Sequence, residues 1–402
     1  MRLLYVLNAT APRGGATKSF LALADTMAAD GNEIAVIVPD ENGITPALME
    51  RGWKVICMPF AYSALPPLSS GIRDIVKFIP RSLRALVINR KARKTAVAFA
   101  KDWKPDIVHD NTSVTDLGHC VAVTLGIPHI IHVREYGWED FKMVILGLKK
   151  RLSWSKAYGV AITAALARFR GRNLPEGRMN TVYNGIVKEV SSTYISAKEP
   201  FFFYAGRILL SKGINDLADA YIAYASGEIR NGRRPLMLKL AGETGTDGFA
   251  ETGKKKFADA GVEEYVEWLG SIDNVMEYYK KAAATVVPSY SEGFGRVMPE
   301  AISAGCLCVV RDSAGLAEQL QNGRHITGQE IALAFTTIDQ LVSLLREVSD
   351  AYRERSPYME GGRFKDMIDA GRLTVSSLYT YDAYARSIGN IYSRAIQESK
   401  KQ

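Results

Sequence analysis

The chain has 402 residues, a hydrophobic fraction of 47% and a formal net charge of +8. Its length favours two domains of roughly 200 residues each. The positive charge suits an anionic small molecule, a membrane surface or a nucleic acid. We find no zinc-finger spacing and no aromatic RNA-binding motif, so nucleic acid is the least favoured of these partners.

The N-terminus and the cysteines indicate a cytoplasmic protein. Residues 1–8 form a short apolar run that enters a polar, glycine-rich loop, which predicts a first strand rather than a signal peptide. No apolar run approaches the roughly 18 residues expected of a membrane-spanning helix. Cys57, Cys120, Cys306 and Cys308 lack metal-ligand spacing and are expected to be free thiols in a reducing compartment.

Predicted strands and helices alternate through the first half of the chain. This alternation is typical of parallel sheets with helical crossovers. An apolar stripe at helical spacing over residues 20–28 follows the first strand. The predicted strands are residues 3–7, 33–38, 52–58, 106–109, 128–133 and 158–163, and residues 179–185 close the first half.

A glycine-rich loop over residues 12–19 links the first strand to the first helix. Gly14 and Gly15 would let the backbone approach a phosphate closely. The Lys-Ser pair that follows is similar to a P-loop, but a Walker A motif requires glycine directly before the lysine. That position holds Thr17, so a P-loop NTPase is disfavoured.

A basic stretch over residues 73–104 contains ten basic and two acidic residues, with apolar residues between them. A basic amphipathic helix of this kind can lie on an anionic membrane. A solvated helix face is the alternative, and the sequence leaves both open.

The alternation restarts at residue 201. Arg207 and Lys212 follow the first strand of this half, and Gly270 follows the third. A last helix over residues 381–397 comes after the second core is complete. The predicted strands are residues 201–205, 236–241, 266–269, 282–287 and 307–310.

The most informative stretch is residues 288–305, which follow a buried strand. Gly293 and Gly295 predict a tight loop, and a helix is expected to begin near residue 296. Glu292 lies in the loop and Glu300, eight residues later, lies in the helix. Backbone amides in such a loop suit a phosphate, and the helix carboxylate suits sugar hydroxyls. The pattern indicates a nucleotide-sugar site.

Residues 288–301 resemble the signature of the retaining family 4 glycosyltransferases, which have the glycosyltransferase B architecture. That signature reads Pro-Ser-x-x-Glu-Gly-Phe-Gly-x4-Glu-Ala, and each fixed position is matched here. Two glutamates at this spacing alone would carry little information, and the surrounding residues make the motif specific. The resemblance covers nearly the whole chain and is densest over residues 184–330.

The resemblance implies that Arg207 and Lys212 belong to the family's Gly-Arg…Lys-Gly motif. A leaving diphosphate gains charge as the glycosidic bond breaks, and fixed cations beside it stabilise the transition state. Arginine can bind two phosphate oxygens at once, whereas lysine contributes a point charge. Two solvated bases at a strand end are the alternative.

The resemblance also implies roles for the glutamate motif. Glu300 is expected to accept hydrogen bonds from the ribose hydroxyls, and Glu292 to lie near the transferred sugar. The backbone amides of Phe294 and Gly295 are expected to contact the sugar or the phosphates. Gly270 falls at a strand end where the base should lie.

In the first domain, Gly15 is expected to approach the donor phosphate. His109 ends a predicted strand, and by its position is expected to face the mouth of the cleft. Many family members carry a histidine followed by an acid after the strand at 128–133, and Arg134-Glu135 occupies that place here. Glu135 is then a candidate to orient the acceptor hydroxyl, and Arg134 to bind an anionic group, while His132 is expected in the core.

The catalytic candidates are therefore Glu292, Arg207, Lys212 and Glu135, and the expected fold is α/β with two Rossmann-like domains facing a central cleft. We predict an acceptor domain over residues 1–184, a donor domain over 185–380 and a helix over 381–402 that returns to the first domain.

The predicted activity is retaining transfer of a sugar from a UDP-, GDP- or ADP-linked donor, with no metal and no other cofactor. The acceptor would be a glycan, a lipid-linked molecule or a small molecule, in the synthesis of bacterial cell-surface polysaccharide or glycoconjugate. The protein would be cytoplasmic, and peripheral on the inner face of the plasma membrane if the basic stretch binds lipid. A non-catalytic nucleotide-sugar-binding scaffold and a sugar-nucleotide epimerase are the alternatives.

Overall fold

A computed structural model describes residues 1–12, 14–65, 72–137, 144–172, 174–245 and 247–401. The chain divides into two compact units. Unit 1 comprises residues 1–185 and 381–402, and unit 2 comprises residues 186–380. No helix in the described ranges combines the length and the apolar character that crossing a bilayer would require.

Unit 1 contains a seven-stranded parallel sheet in the order β3-β2-β1-β5-β6-β8-β9. A separate antiparallel pair is formed by β4 and β7. The strands are β1 (Arg2–Val6), β2 (Glu33–Val38), β3 (Lys54–Cys57), β4 (Ala64–Leu65), β5 (Ile107–Asp110), β6 (His129–Val133), β7 (Val144–Ile145), β8 (Ala157–Ala161) and β9 (Met179–Thr181). The helices are α1 (Gly15–Ala29), α2 (Thr45–Glu50), α3 (Ile72–Trp103), α4 (Leu117–Leu125), α5 (Leu148–Leu152) and α6 (Ala164–Gly171).

Unit 2 contains a six-stranded parallel sheet in the order β12-β11-β10-β13-β14-β15. Its strands are β10 (Glu199–Ala205), β11 (Met237–Ala241), β12 (Val266–Gly270), β13 (Ala282–Val287), β14 (Cys308–Arg311) and β15 (Leu333–Phe335). Its helices are α7 (Ile214–Arg230), α8 (Phe249–Asp259), α9 (Val275–Lys281), α10 (Val297–Ser303), α11 (Ala314–Thr327), α12 (Ile338–Glu354) and α13 (Arg363–Leu378). Short 3₁₀ turns span Leu210–Lys212, Glu263–Tyr265 and Ser356–Tyr358.

Both sheets have the strand order of a Rossmann fold, in which the order reverses after the first three strands. The central strands are buried on both faces, as continuous runs such as residues 282–287 predict. The expectation of two Rossmann-like α/β domains is confirmed. The acceptor and donor roles given to them remain predictions.

The last helix, α14 (Tyr381–Ser399), belongs to unit 1. Its buried residues Tyr384, Ile388 and Tyr392 recur at helical spacing, and they share a core cluster with Phe20 and Leu23 of α1. The predicted return of the C-terminal helix to the first domain is therefore confirmed.

Candidate functional site

The sheet of unit 2 reverses its strand order between β10 and β13. In open parallel sheets, ligands bind in the crevice beyond the carboxyl ends of the strands at such a reversal. Gly206 and Arg207 follow β10 there, and Pro288 and Ser289 follow β13. The fold therefore places the two predicted motifs on adjacent strands, at the edge where a ligand is expected.

Three glycines lie at the carboxyl ends of β10, β11 and β12. Gly242 has a φ of 151°, and a Cβ added to it would lie 1.7 Å from the carbonyl oxygen of Gly206. Its amide donates to the carbonyl oxygen of Gly270 at 2.7 Å. Gly270 has a φ of 66° and ends β12 in an exposed position. The structure thus puts this predicted donor-binding residue on the same sheet edge as Arg207.

The loop after β10 contacts the loop after β13 directly. Gly213 has a φ of 70°, and a Cβ there would lie 2.0 Å from the carbonyl oxygen of Pro288. Lys212, one residue earlier, places its Nζ 2.8 Å from Oε1 of Glu292. Both side chains are half-buried. Two of the predicted catalytic residues, 80 positions apart in the sequence, therefore form an ion pair.

The charges of Arg207 and Glu292 both affect the pKa of the buried Tyr204 phenol. That phenol donates to the carbonyl oxygen of Arg207 at 2.7 Å. Burial raises the pKa of Tyr204, the negative charge of Glu292 raises it further, and the positive charge of Arg207 opposes them. The Arg207 side chain is exposed. The structure thus brings Arg207, Lys212 and Glu292 together at the ends of β10 and β13.

The rest of the glutamate motif follows the predicted strand–loop–helix arrangement. Glu300 lies in the first turn of α10, which begins at Val297, and its Oε1 is 3.4 Å from Nε of Arg296. Gly295 has a φ of 85°, which only glycine adopts readily. The ring of Phe294 is buried and packs against the ring of Tyr379, so this side chain belongs to the core of unit 2.

In unit 1, Arg134 is held by protein acceptors. Its guanidinium donates to the backbone and side-chain oxygens of Asn111, to Oδ1 of Asn184 and to the hydroxyl of Tyr384. Glu135 is buried, and its Oε2 accepts from the backbone amide of Arg134. These contacts join the ends of two strands to α14, which gives Arg134 a structural role whatever it binds.

The position predicted for His109 is wrong. Only 2% of this residue is exposed, because it lies within β5 beneath α14 rather than at an open strand end. Its Nδ1 is 2.6 Å from the hydroxyl of Tyr392, and its Nε2 is 3.2 Å from Nδ1 of His132. His132 is fully buried, as expected. His109 is a core histidine, and its burial keeps it from touching an acceptor.

Two of the buried histidines, His109 and His132, predict that unit 1 loses stability in acid. Burial lowers the pKa of both His109 and His132 well below 6.5, and the positive charge of Arg134 lowers them further. Below pH 6.5 the unfolded chain therefore binds more protons than the folded one. The contribution of these two neutral histidines to stability is therefore complete above pH 6.5 and is lost as the pH drops, by about 1.4 kcal/mol per pH unit for each histidine.

Urea unfolding of the full chain between pH 7.5 and 5 checks this expectation. His132→Phe should reduce the pH dependence by about one proton, because one buried imidazole is removed. The matched control is His325→Phe, at a more accessible position on α11 of unit 2. An equal change in both variants would contradict the assignment.

Gly15 is the first residue of α1 and is exposed, with Gly14 as the N-cap. The helix is fifteen residues long, so its first amides are presented by a stable element.

Among the described residues, no three or more His, Cys, Asp or Glu side chains form a group that could hold a metal ion.

Two family sequence models match the chain. The one described as "Glycosyl transferases group 1" matches residues 188–363, and the one described as "Glycosyl transferase 4-like domain" matches residues 14–185. The two matches do not overlap, and each falls within one unit.

The curated relatives include an inositol phosphate glycosyltransferase and a glycogen synthase. D-inositol 3-phosphate glycosyltransferase from a Nocardioides species is 29% identical over 167 residues, which is 41% of this chain and 31% of that protein. The match thus spans about a third of that relative's length. Glycogen synthase from Mycobacterium tuberculosis is 23% identical over 364 residues, which is 84% of this chain and 83% of that protein.

Among solved structures, HepE from Anabaena in complex with UDP has a TM-score of 0.71 at 16% sequence identity. The superposition covers 98% of this chain and 100% of that one, so the two share a fold. With the two family matches and the paired Rossmann-type sheets, the assignment follows. The chain belongs to the group 1, family 4 glycosyltransferases and has the glycosyltransferase B fold.

Proposed function

We propose that this glycosyltransferase uses a nucleotide-sugar donor and retains the configuration at the transferred carbon. The observation that carries the proposal is the meeting of Lys212 and Glu292, at 2.8 Å, at the carboxyl ends of two adjacent parallel strands. Cations and a carboxylate at this edge suit a sugar diphosphate whose leaving group gains negative charge.

In the proposed reaction the bond between the anomeric carbon and the diphosphate oxygen breaks, and its electron pair stays on the diphosphate. Arg207 and Lys212 stabilise that charge, so no metal ion is required. The acceptor hydroxyl then bonds to the same face of the sugar and gives up its proton to the departing phosphate oxygen. Glu292 keeps Lys212 oriented before the donor arrives and contacts the sugar afterwards.

Unit 2 is the proposed donor domain. Glu300 would accept from the ribose hydroxyls, and the exposed end of β12 at Gly270 would lie near the base. HepE from Anabaena has also been solved in complex with UDP-glucose, which supports testing UDP sugars first, before GDP and ADP sugars. The acceptor side is proposed for unit 1, with Gly15 toward the phosphate, Glu135 toward the acceptor hydroxyl and Arg134 as its support.

The names of the two curated relatives refer to an inositol phosphate and to glycogen, so these relatives do not favour one class of acceptor.

The surface of α3 favours a lipid-linked acceptor. The side chains of residues 73–82, the first part of the predicted basic stretch, are not among those that the structure describes. From residue 83 onward, α3 exposes Leu83 (58%), Leu86 (63%) and Val87 (71%). Apolar residues this exposed are expected to be covered by another surface.

The same helix carries its charge beside these apolar residues. Arg90, Lys91 and Lys94 are exposed, whereas Ala92 and Ala96 on the opposite face are buried in the core. Spacings of three and four residues place the basic and apolar residues on one face. This arrangement supports transient docking of unit 1 on an anionic membrane.

We expect the protein to sediment with anionic vesicles and not with neutral ones, and to be released by salt. Each base near an anionic surface contributes about 1 kcal/mol, so changing Arg90, Lys91 and Lys94 to glutamine should abolish most binding. The triple change Lys188, Lys254 and Lys255 to glutamine is the control, because it removes the same charge from unit 2. If both triple variants bind alike, α3 does not direct docking, and a soluble acceptor is favoured.

A turnover assay tests the central proposal and separates it from a non-catalytic scaffold. Purified protein is incubated with UDP, GDP and ADP sugars and candidate acceptors, and release of the nucleoside diphosphate is measured with and without excess EDTA. Release that survives EDTA and comes with a glycosylated product of retained anomeric configuration supports the proposal. An activity lost in EDTA and restored by magnesium would show that the leaving group is neutralised differently.

The two motif glutamates are expected to separate binding from turnover. Glu300→Gln should weaken UDP binding about tenfold or more, because a hydrogen bond to a charged group contributes about 1.5–3 kcal/mol. Glu292→Gln should mainly lower kcat, since that side chain faces the reacting sugar. Calorimetry with UDP and steady-state kinetics measure the two effects. Unchanged behaviour of both variants would contradict the roles assigned to this motif.

A further inference from the structure

The loop after β13, residues 288–296, is held along one side by residues 311–319, which we term the clamp segment. Five carbonyl oxygens of the loop accept hydrogen bonds from it. The acceptors are the carbonyls of Pro288, Ser289, Glu292, Phe294 and Gly295. The donors are Arg311 Nε, Ser313 Oγ, the amide of Gly315, and Gln319 Nε2 for both Phe294 and Gly295.

Gln319 makes two of these five contacts with one amide group. It is fully buried, and its Nε2 lies 3.0 Å from the carbonyl oxygen of Gly295 and also bonds that of Phe294. Gly315 lets the loop come this close, because a Cβ there would lie 2.7 Å from the carbonyl oxygen of Glu292. The loop is thus anchored at the residues that follow Glu292.

Ser313 shows that the clamp segment is directed at the loop rather than at its own helix. It is the N-cap of α11, where a serine hydroxyl ordinarily accepts from the first turn of the helix. Here the side chain makes no such bond and instead donates to the carbonyl oxygen of Ser289 at 3.2 Å.

The clamp also fixes where the loop amides point. In a trans peptide the carbonyl and the following N–H lie on opposite sides, and no described peptide bond is cis. The N–H groups of Gly293, Gly295 and Arg296 share peptide planes with clamped carbonyls. They therefore point away from the clamp segment.

We propose that Gln319 is a positioning residue for sugar transfer, acting through the loop that carries Glu292. It does not touch the substrate. It holds the loop so that Glu292 stays against Lys212 and the loop amides face the donor. This inference rests on the proposed function of the site, since it assumes that Glu292 takes part in the reaction.

The test is a double-mutant cycle on kcat between Gln319→Met and Glu292→Gln. Methionine keeps the volume of glutamine and removes both donors. Gln319→Met should lower kcat at least tenfold in the native background, and by less than about twofold when Glu292 is already glutamine, because residues that act as a unit are non-additive. Tyr224→Phe is the control. It removes two buried hydrogen bonds of unit 2, the one that the phenol donates to Ser349 Oγ and the one that it accepts from the backbone amide of Leu236, and it should lower the melting temperature without lowering kcat.

Ser313→Ala gives a second route to the same answer if Gln319→Met does not fold. It removes only the bond to Ser289 and should lower kcat severalfold, again without effect in the Glu292→Gln background. Equal losses in both backgrounds overturn the positioning role and leave the proposed function standing. A native kcat in Glu292→Gln itself overturns the proposed function and the positioning role together.

Discussion

Replacing Arg207 with methionine is expected to lower kcat by about 100-fold or more. Removing one preorganised group that stabilises developing charge costs about 10²–10³ in rate. The Arg207 side chain is exposed, so its loss leaves no buried group unpaired and the protein should remain folded. Lysine at this position should recover only part of the rate, because it cannot bind two phosphate oxygens in a fixed geometry.

Lys212→Met should act on the same step with one difference. Lys212 is paired with Glu292 at 2.8 Å, so its removal also leaves a half-buried carboxylate without this cation. We therefore expect weaker UDP binding together with the loss of kcat. The control is Arg230→Met, which removes an exposed cation from the far end of α7. A kcat within threefold of the native value in both Arg207→Met and Lys212→Met would mean that the leaving group lies elsewhere.

The pairing of Lys212 with Glu292 could be anticipated because each follows a buried parallel strand. Parallel strands bring their carboxyl ends to one edge of the sheet, and the first and fourth strands of a Rossmann sheet are neighbours. The glycine and glutamate motifs indicate which edge carries chemistry. Local patterns were therefore sufficient to assign both residues to one donor site, whereas their direct ion pair is a finding of the structure.

Some elements of unit 2 were not predicted, because their sequence patterns are too short or were not used. Leu333–Phe335 forms β15, but three residues are too few to show a period. Helix α12 begins at a capping box in which Thr337 and Gln340 bond each other's backbone, and that signature is present in the sequence. These elements contribute Leu333, Phe335, Leu341 and Leu345 to the core of unit 2 and contain none of the predicted site residues, so missing them left the site prediction unaffected.

His109 shows what local patterns do not contain. Its partner Tyr392 is 283 residues away on α14, and nothing in the sequence around residue 109 shows that this helix covers the strand. Gln319 is similar, because a glutamine on a helix gives no sign that a loop 24 residues earlier needs its amide. Contacts of this kind depend on how elements pack, which motif spacing does not specify.

Gly213→Ala is expected to damage both stability and activity, because this glycine brings the two loops together. Alanine at a φ of 70° is strained, and its Cβ would lie 2.0 Å from the carbonyl oxygen of Pro288, a backbone atom that cannot rotate away. Strain of this kind costs about 1–3 kcal/mol, and relieving the overlap requires the loops to separate. We expect a loss of at least about 3 kcal/mol in the free energy of unfolding.

Gly232→Ala is the matched control, since it has a φ of 68° but nothing within 4 Å of an added Cβ. It should show only the backbone strain, about 1–2 kcal/mol, and keep its kcat. Gly213→Ala should in addition move Lys212 away from Glu292 and lower kcat about tenfold or more, measured at a temperature where both variants are folded. Equal stability and equal kcat in the two variants would show that the loops can separate without consequence. The close approach of Gly213 to Pro288 would then have no part in assembling the site.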